Sequence, residues 1–224
     1  MKHLLCAITC AATLMLVAAC SKESPLDESR THYRYDVVTY TGSDATTGCA
    51  TFELVGRDVA PSVTLRGNVK ADSTMKVLQR VLLRYDFVRD DEASSVRDIK
   101  MYGVTRIITD SLRFATVPLS RYAMHPVKMR SAWRTGDFIN LHCMVEHTGK
   151  ARRFMLLIDD ATRNQDTVHC YLHHDLLADT AYFWRECYAS FNVGNVWKRT
   201  ECKTMRVHIN DEDLGAKCYD FDRK

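Results

Sequence analysis

No apolar run in this sequence is long enough to cross a lipid bilayer. The uncharged run near the amino terminus extends only from Leu4 to Ala19, whereas a membrane-spanning helix needs roughly twenty residues. An excess of one charge is also lacking, because 31 Lys and Arg residues face 28 Asp and Glu residues. The sequence therefore predicts neither a transmembrane anchor nor a nucleic-acid-binding surface.

The signatures of common catalytic and nucleotide-binding sites are missing as well. The sequence contains no Gly-x-Ser-x-Gly elbow, His-Glu-x-x-His helix, Walker loop or Gly-x-Gly-x-x-Gly turn. The segment HTGK (147–150) ends like a phosphate loop but lacks the preceding glycine, so we interpret it as a hairpin turn. We predict no catalytic residue, no bound metal and no cofactor.

The amino terminus has the parts of a secretory signal peptide. Lys2 supplies a positive charge, an apolar stretch follows, and small residues end it. Residues 17–20 (VAAC) resemble the lipobox of bacterial lipoproteins, in which the cysteine receives a diacylglycerol and becomes the first residue of the mature chain. We predict that residues 1–19 are removed and that Cys20 is lipidated. An ordinary cleaved signal with an incidental cysteine is the alternative.

Residues 20–32 are polar and predict a solvated tether between the anchor and the folded part. Each buried CH2 of an acyl chain adds about 0.8 kcal/mol, so two or three chains hold a protein at a membrane. We therefore expect an outer-membrane protein that is lipid-anchored at the periplasmic or the cell-surface face. The acidic residues after the cysteine, Glu23, Asp27 and Glu28, are spread out and leave the choice of face open.

Six cysteines follow Cys20 in the predicted mature chain. An even number in an oxidising envelope permits disulfides, but the spacing is not that of a disulfide framework. A buried free thiol is the alternative for each. Their pairing stays open for Cys49, Cys143, Cys170, Cys187, Cys202 and Cys218.

Residues 33–116 predict a small all-β domain. Val81, Leu83, Tyr85 and Phe87 alternate along one strand, although a helix over residues 77–85 is possible. Gly103 is a candidate bulge. Five short strands in this length suit an OB-like barrel. The strand segments are YRYDVVTY (33–40), CATFELV (49–55), SVTLR (62–66), QRVLLRYDFV (79–88) and RDIKMYGVTRIIT (97–109).

Residues 117–224 predict an antiparallel β-sandwich. In FINLHCMVE, alternation places Ile139, Leu141 and Cys143 inward, with Asn140 and His142 on the other face. Strands separated by turns every eight to twelve residues are typical of a sandwich. The segments are VKMRSAW (127–133), FINLHCMVE (138–146), RRFMLLID (152–159), TVHCYLHHD (167–175), AYFWRECYASFNV (181–193), KTMRVHI (203–209) and AKCYDF (216–221).

Four stretches resemble segments of the NigD-like lipoproteins of Bacteroidetes, namely VLLRYDFV, RDIKMYGVTRIIT, SAWRTGDFINLHCMVE and CYLHHDL. Members of that family join an N-terminal OB-like domain to a C-terminal β-sandwich behind a lipobox. FWRECYASFNV and GNVWKRTECKT depart from the family pattern. The family name comes from association with a bacteriocin operon, so the resemblance implies a protective, immunity-like role and no catalytic residues.

Aromatic side chains supply the candidate binding residues. Tyr182, Trp184 and Tyr188 fall on the alternation opposite Phe183 and Phe191, so they predict an exposed aromatic strip. Such strips bind sugars or protein partners. A sheet face that is covered by a loop or by the other domain is the structural alternative.

Histidines supply the competing prediction. His142, His169 and His173 would be the ligands of a metal-dependent hydrolase, although two strand histidines four residues apart lie too far from each other for one ion. Overall, we predict a lipid-anchored envelope protein with a non-catalytic binding, accessory or protective role and an unknown protein or glycan partner. A glycan-binding surface accessory is the first alternative, and the hydrolase is the second.

Overall fold

The computed structural model describes residues 33–56, 61–89, 92–180 and 182–223. The predicted signal peptide (1–19), the predicted tether (20–32) and the predicted lipidation site Cys20 lie outside these residues.

The first five strands close into a barrel, as the sequence predicts. Their order around the barrel is β1-β2-β3-β5-β4. Neighbouring strands run antiparallel except β3 and β5, which are parallel. The strands are β1 (Arg34–Ser43), β2 (Cys49–Leu54), β3 (Val63–Lys70), β4 (Arg80–Phe87) and β5 (Val96–Arg106).

Alternating apolar residues build the barrel core. Val81, Leu83 and Tyr85 of β4 are fully buried, and they pack with apolar side chains from the four other strands. The helix that was possible over residues 77–85 is therefore wrong, because burial there repeats every second residue. The predicted bulge near Gly103 is present, since Arg84 pairs with Gly103 while Tyr85 pairs with Met101.

The second half of the chain forms a β-sandwich, also as predicted. One sheet has the order β6-β12-β9-β8 and the other has the order β14-β13-β11-β10-β7. Each of the seven predicted segments contains a strand. These are β8 (Lys128–Thr135), β9 (Phe138–His147), β10 (Arg153–Ile158), β11 (Thr167–Asp175), β12 (Phe183–Asn192), β13 (Thr204–Asp211) and β14 (Gly215–Asp222).

Two further strands come from the segment between the barrel and β8. Strand β6 (Ile108–Ser111) pairs in parallel with β12, and β7 (Arg113–Phe114) pairs in parallel with β10. The sequence predicts that residues 107–116 belong to the barrel domain, whereas the structure places one of these strands in each sheet of the sandwich. Because β11 and β13 are also parallel, the sandwich is mixed rather than purely antiparallel.

The sandwich core lies between the inner faces of its two sheets. Ile139, Leu141 and Cys143 point inward from β9, as predicted, and they are fully buried. Trp197, on the single-turn helix α1 (Gly194–Trp197), closes one end of this core. Burial of aliphatic side chains at roughly 25 cal/mol per Å² is the main force that holds the two sheets together.

No helix among the described residues is long and apolar enough to span a bilayer.

Candidate functional site

The site that the fold exposes is the outer face of the four-stranded sheet. Alternation that buries Ile139 and Leu141 sends Asn140 and His142 to this face. The strand register aligns these residues with partners on both neighbouring strands. Asn140 lies between Trp133 and Ser190, and His142 lies between Ser131 and Tyr188. The outer face therefore carries polar and aromatic side chains in ordered rows.

The barrel closes one end of this outer face through Arg80. The fully buried guanidinium donates hydrogen bonds to Ser190 Oγ at 3.1 Å and to Asn140 Oδ1 at 3.1 Å. It also donates to Thr39 Oγ1 within the barrel at 2.9 Å. Phe138 packs its ring 4.4 Å from the guanidinium carbon, a cation–π contact. The arginine thus joins barrel and sandwich with polar and aromatic contacts.

Burial changes the acid–base chemistry of this arginine. Desolvation lowers the pKa of Arg80 to about 10, because the charged form is disfavoured in a low-dielectric interior. Its hydrogen-bond partners are hydroxyls, an amide oxygen and a backbone carbonyl. At neutral pH the charge is retained, and neutral oxygens stabilise it.

A cleft opens where the barrel leaves the outer face. Its volume is about 340 Å³, which falls within the size range of small-ligand pockets. The barrel contributes Tyr35, Asp36 and Leu82 to the wall. The sandwich contributes the row formed by Ser131, His142 and Tyr188, together with Trp133 and Thr135.

The floor of the cleft holds a stacked pair of rings. His142 and Tyr188 are parallel within 9°, with their centroids 4.2 Å apart. Nε2 of His142 contacts Oε2 of Glu186, an exposed residue on the adjacent strand. Burial, followed by the neighbouring carboxylate of Glu186, raises the pKa of Tyr188. The imidazole is therefore fixed by Tyr188 against its face and by Glu186 at Nε2.

The predicted aromatic strip is present on the outer face, but it is not uniform. Tyr182, at the end of the strip farthest from the barrel-covered rows, is 80% exposed. Trp184 is partly buried, because the ammonium of Lys128 lies 4.3 Å from its ring centroid. Tyr188 is partly buried against His142. Of the three rings, Tyr182 is the most accessible, and the role of all three in binding stays a prediction.

Charged groups surround this strip. Lys128 and Arg130 lie on β8, and Glu186 lies between Trp184 and Tyr188 on β12. Arg130 and Glu186 are exposed. We call the part of the outer face that the barrel leaves uncovered the open region; it comprises Lys128, Arg130, Met144, Tyr182, Trp184 and Glu186. It combines both signs of charge with accessible aromatic surface.

A serine, a histidine and a carboxylate lie on neighbouring strands beside the cleft. Ser131 is the register partner of His142, and Glu186 contacts the imidazole. No hydrogen bond joins the side chains of Ser131 and His142 in the described structure. A nucleophile needs a base within hydrogen-bond reach, with donors that stabilise the oxyanion.

The histidines of the hydrolase prediction do not converge. His142 lies on the four-stranded sheet, whereas His169 and His173 belong to β11 of the other sheet. His173 is buried with Nδ1 2.6 Å from the carbonyl oxygen of Ala123. Within residues 33–56, 61–89, 92–180 and 182–223, no three His, Cys, Asp or Glu side chains form a group that could hold a metal ion.

A second histidine cluster lies on the outer face of the five-stranded sheet. Nε2 of His208 is 3.2 Å from Nδ1 of His169, and Nδ1 of His208 is 3.2 Å from Sγ of Cys218. Tyr171 stacks on His208 at 4.3 Å. Desolvation, followed by the nearby charge of His169, lowers the pKa of His208. The two contacts use opposite nitrogens of one ring, so the three groups form a chain of hydrogen bonds.

A buried polar network closes the end of the sandwich beneath the β9–β10 turn. Nη2 of Arg152 lies 2.5 Å from Oδ2 of Asp179, and Nη1 donates to Nε2 of His174 at 2.8 Å. Asp179 also accepts hydrogen bonds from Thr148. Those bonds hold the pKa of Asp179 well below its usual range. Burial, with the adjacent Arg152 charge, lowers the pKa of His174 to about 4.

The second half of the chain matches a known domain family. The sequence profile of the NigD-like C-terminal β-sandwich domain covers residues 116–223. These residues are a NigD-like domain. The resemblance that the sequence carries is thereby confirmed, and the match covers the open region, the sandwich side of the cleft and the cluster of His169, His208 and Cys218. Among curated proteins, none matches the sequence.

Solved structures share the fold along most of the chain. A NigD-like immunity protein from Bacteroides caccae superposes with a TM-score of 0.62 at 18% identity, covering 85% of this chain and 97% of that one. A protein of unknown function from Bacteroides vulgatus gives a TM-score of 0.70 at 14% identity, with 86% and 91% covered. A candidate lipoprotein from Bacteroides fragilis gives 0.57 at 13% identity, with 86% and 98% covered. The fold of this chain is thus shared along most of its length by these three proteins.

Proposed function

We propose that this protein is a lipid-anchored, non-catalytic binding protein of the cell envelope, held at the outer membrane, and that it acts by binding another protein. Its binding surface is the open region together with the neighbouring cleft. A protective role, like that named for the Bacteroides caccae immunity protein, is the form of this function that we favour.

The observation that carries the proposal is the division of one sheet face into two parts. Arg80 and the barrel cover one end of it, and the other end keeps Tyr182, Trp184 and Glu186 accessible beside a cleft. Aromatic and arginine side chains are enriched at the centre of protein interfaces, and charged groups are common at the rim. The open region has this composition.

The ring geometry favours a protein partner over a glycan. A sugar stacks on an aromatic ring only where a face of that ring is free. One face of Trp184 is covered by Lys128, and one face of Tyr188 is covered by His142. A protein partner can instead bury the edges of these rings and pair with the charges of Lys128 and Glu186.

The anchor and the location rest on the amino-terminal sequence. The VAAC motif at residues 17–20 supports lipidation of Cys20, and a structure with the same fold carries a lipoprotein description. Labelling growing cells with an alkyne-tagged palmitate tests the anchor directly. We expect label on the wild-type protein and none on Cys20→Ser; a Cys20→Ser protein that still carries the label would contradict the lipid anchor.

Capture from detergent-solubilised envelopes tests the binding surface. We expect the wild-type protein to retain a partner that Glu186→Arg loses, because the substitution reverses a charge beside Trp184 in the open region. The matched control is Lys100→Glu, which reverses a charge on the barrel strand β5. Equal capture by all three proteins would rule out the open region as the binding surface.

A glycan array with the same variants separates the alternative ligand class. Binding of a defined glycan that is lost in Tyr182→Ala, in the absence of any captured protein, would replace the protein-partner proposal with the glycan-binding one. Turnover of ester or peptide substrates by wild-type protein, abolished by Ser131→Ala or His142→Ala, would overturn the non-catalytic assignment.

A further inference from the structure

Two cysteines face each other across neighbouring strands of the NigD-like domain. Cys143 of β9 and Cys187 of β12 are direct register partners in an antiparallel pair. Among the described strands, no other cysteine has a cysteine as its register partner. Opposite residues in such a pair have Cα atoms about 4.5 or 5.5 Å apart, and a disulfide accepts Cα separations of roughly 4.4–6.8 Å. The backbone therefore permits a bond without rearrangement.

The two side chains also point to the same side of the sheet. Cys143 is fully buried in the sandwich core, and Cys187 packs against that core while remaining partly accessible. The two thiols are close enough for each to shift the pKa of the other. Strand register and side-chain direction thus agree.

The surroundings give the two thiols different roles. The hydrogen bond from Cys143, together with the nearby Arg152 charge, lowers the pKa of Cys187, whereas the pKa of Cys143 is raised by its contact with Cys187 and by burial. Cys187 is also the more accessible of the two. A thiolate is the nucleophile in disulfide exchange, so Cys187 reacts first and Cys143 second.

We infer that Cys143 and Cys187 form a disulfide bond in the exported protein. The Cys187 thiolate attacks a disulfide oxidant R–S–S–R, forming a mixed disulfide and releasing R–S⁻, which takes up the proton lost by Cys187. Sγ of Cys143 then attacks the mixed disulfide at Sγ of Cys187. The S–S bond between the two cysteines forms, the second R–S⁻ leaves, and it takes up the proton of Cys143.

The oxidant takes up the electrons that the two cysteines lose. Two protein thiols lose two electrons in total, and the oxidant is reduced to two R–SH molecules. In a bacterial envelope an oxidised dithiol oxidoreductase is the class of protein that supplies this disulfide. The in-cell form of the inference rests on the proposed envelope location, whereas the reactivity of the pair does not.

The four other cysteines after Cys20 are placed differently. Cys49 lies on the barrel, and Cys218 contacts His208 on the outer face of the other sheet. Cys170 and Cys202 are buried within the sandwich core, and Cys202 follows the single-turn helix rather than lying on a strand. These residues serve as internal references for thiol reactivity in the same protein.

Tryptic peptide mapping tests the inference because each of the six cysteines after Cys20 falls in its own peptide. Residues 135–150 contain Cys143, and residues 186–198 contain Cys187. The full-length protein is purified in detergent, fully reduced, and treated with oxidised glutathione before free thiols are blocked with N-ethylmaleimide. We expect the 135–150 and 186–198 peptides to be joined, with a mass lower by two hydrogens than their sum, and to separate after reduction.

A matched variant confirms the assignment. Cys187→Ala must remove the joined peptide and leave Cys143 alkylated under denaturing conditions, whereas Cys49→Ala must leave the joined peptide unchanged. Failure of wild-type protein to form the 135–150 and 186–198 link after oxidation would overturn the inference, and this readout does not depend on whether any variant folds.

The same map from freshly acid-quenched cells tests the compartment. A joined peptide in cells supports the full inference. A pair that links in the purified protein but stays reduced in cells overturns the in-cell bond and counts against the envelope location, while the capture experiment with Glu186→Arg still reports separately on partner binding.

Discussion

The amide oxygen of Asn140, on the sandwich, accepts a 3.1 Å hydrogen bond from the guanidinium of Arg80, on the barrel. The same oxygen accepts a 2.8 Å bond from Ser190 Oγ, and the amide nitrogen donates to Thr135 Oγ1 at 2.9 Å. Each polar group at this junction is thereby oriented by another. The two halves of the chain are expected to unfold as one cooperative unit.

Replacing the buried arginine tests that expectation. Arg80→Ala leaves buried hydroxyl and amide oxygens without their donor, and we expect it to lower the free energy of unfolding by about 3 kcal/mol. Arg84→Ala, on the exposed side of the same strand, should cost less than about 1 kcal/mol. Urea unfolding measured by tryptophan fluorescence provides both values, and equal losses for the two variants would refute the role of Arg80.

The barrel makes a second prediction at Gly67 of β3. A Cβ added there would overlap Sδ of Met101 and lie 3.1 Å from the carbonyl oxygen of Ala50. Gly67→Ala should therefore destabilise the protein by about 1–3 kcal/mol. At Gly103, an added Cβ would meet only the Arg84 side chain at 3.9 Å, so Gly103→Ala should stay within about 1 kcal/mol of wild type. Thermal denaturation followed by circular dichroism distinguishes the two.

Acid sensitivity follows from His174. Its pKa is lowered from 6.5 to about 4 by burial, with Arg152 as the next cause, so the unfolded chain binds a proton between these values while the folded chain does not. Stability should fall as the pH drops from 6.5 to 4, by a limit on the order of 3 kcal/mol. Below pH 4 this residue should contribute no further loss.

His174→Gln is the control for that pH dependence. Glutamine cannot titrate, so the difference in unfolding free energy between wild type and variant should shrink as the pH falls through the 6.5–4 window. Chemical denaturation at pH 7, 6, 5 and 4 measures it. A difference that is constant across the window would show that His174 is not the residue responsible.

Partner binding should depend on the exposed end of the aromatic strip. Because Tyr182 is 80% exposed, Tyr182→Ala should change stability by no more than about 0.5 kcal/mol. If Tyr182 is an interface anchor, the same change should weaken partner affinity at least tenfold, or about 1.4 kcal/mol. Tyr33→Ala on the barrel is the matched control. Unchanged affinity in Tyr182→Ala, measured by titration calorimetry with the captured partner, would exclude this anchor.

Most strands were predictable because a sheet with one buried face leaves a local pattern in sequence. The alternation of Val81, Leu83 and Tyr85 indicated β4 without knowledge of its partners. The two short parallel strands left no separate pattern. Ile108 and Thr109 fall at the end of the predicted segment 97–109, and only the pairing of Ile108 with Ala189, far away in the chain, makes them part of a different strand. Their existence depends on tertiary contacts.

The candidate site was predictable only in part. Alternation correctly placed Trp184 and Tyr188 on the outer face, but it could not show that Lys128 and His142 cover their rings, because those contacts cross strands. The sequence gives no sign that Arg80 is buried, because it shares its side of β4 with the exposed Arg84. Its burial results from the sandwich packing against the barrel.

The short strands β6 and β7 also bear on how the protein can be divided. The family match begins at residue 116, but the strands at residues 108–114 form an edge of each sheet. A fragment that starts at residue 116 would expose the edge of β10 at Leu157–Ile158 and the edge of β12 at Ala189–Asn192, and exposed edges of this kind promote aggregation. The smallest fragment of the sandwich that stays monomeric should therefore begin before Ile108, so the structural domain is longer than the region that is recognisable by sequence.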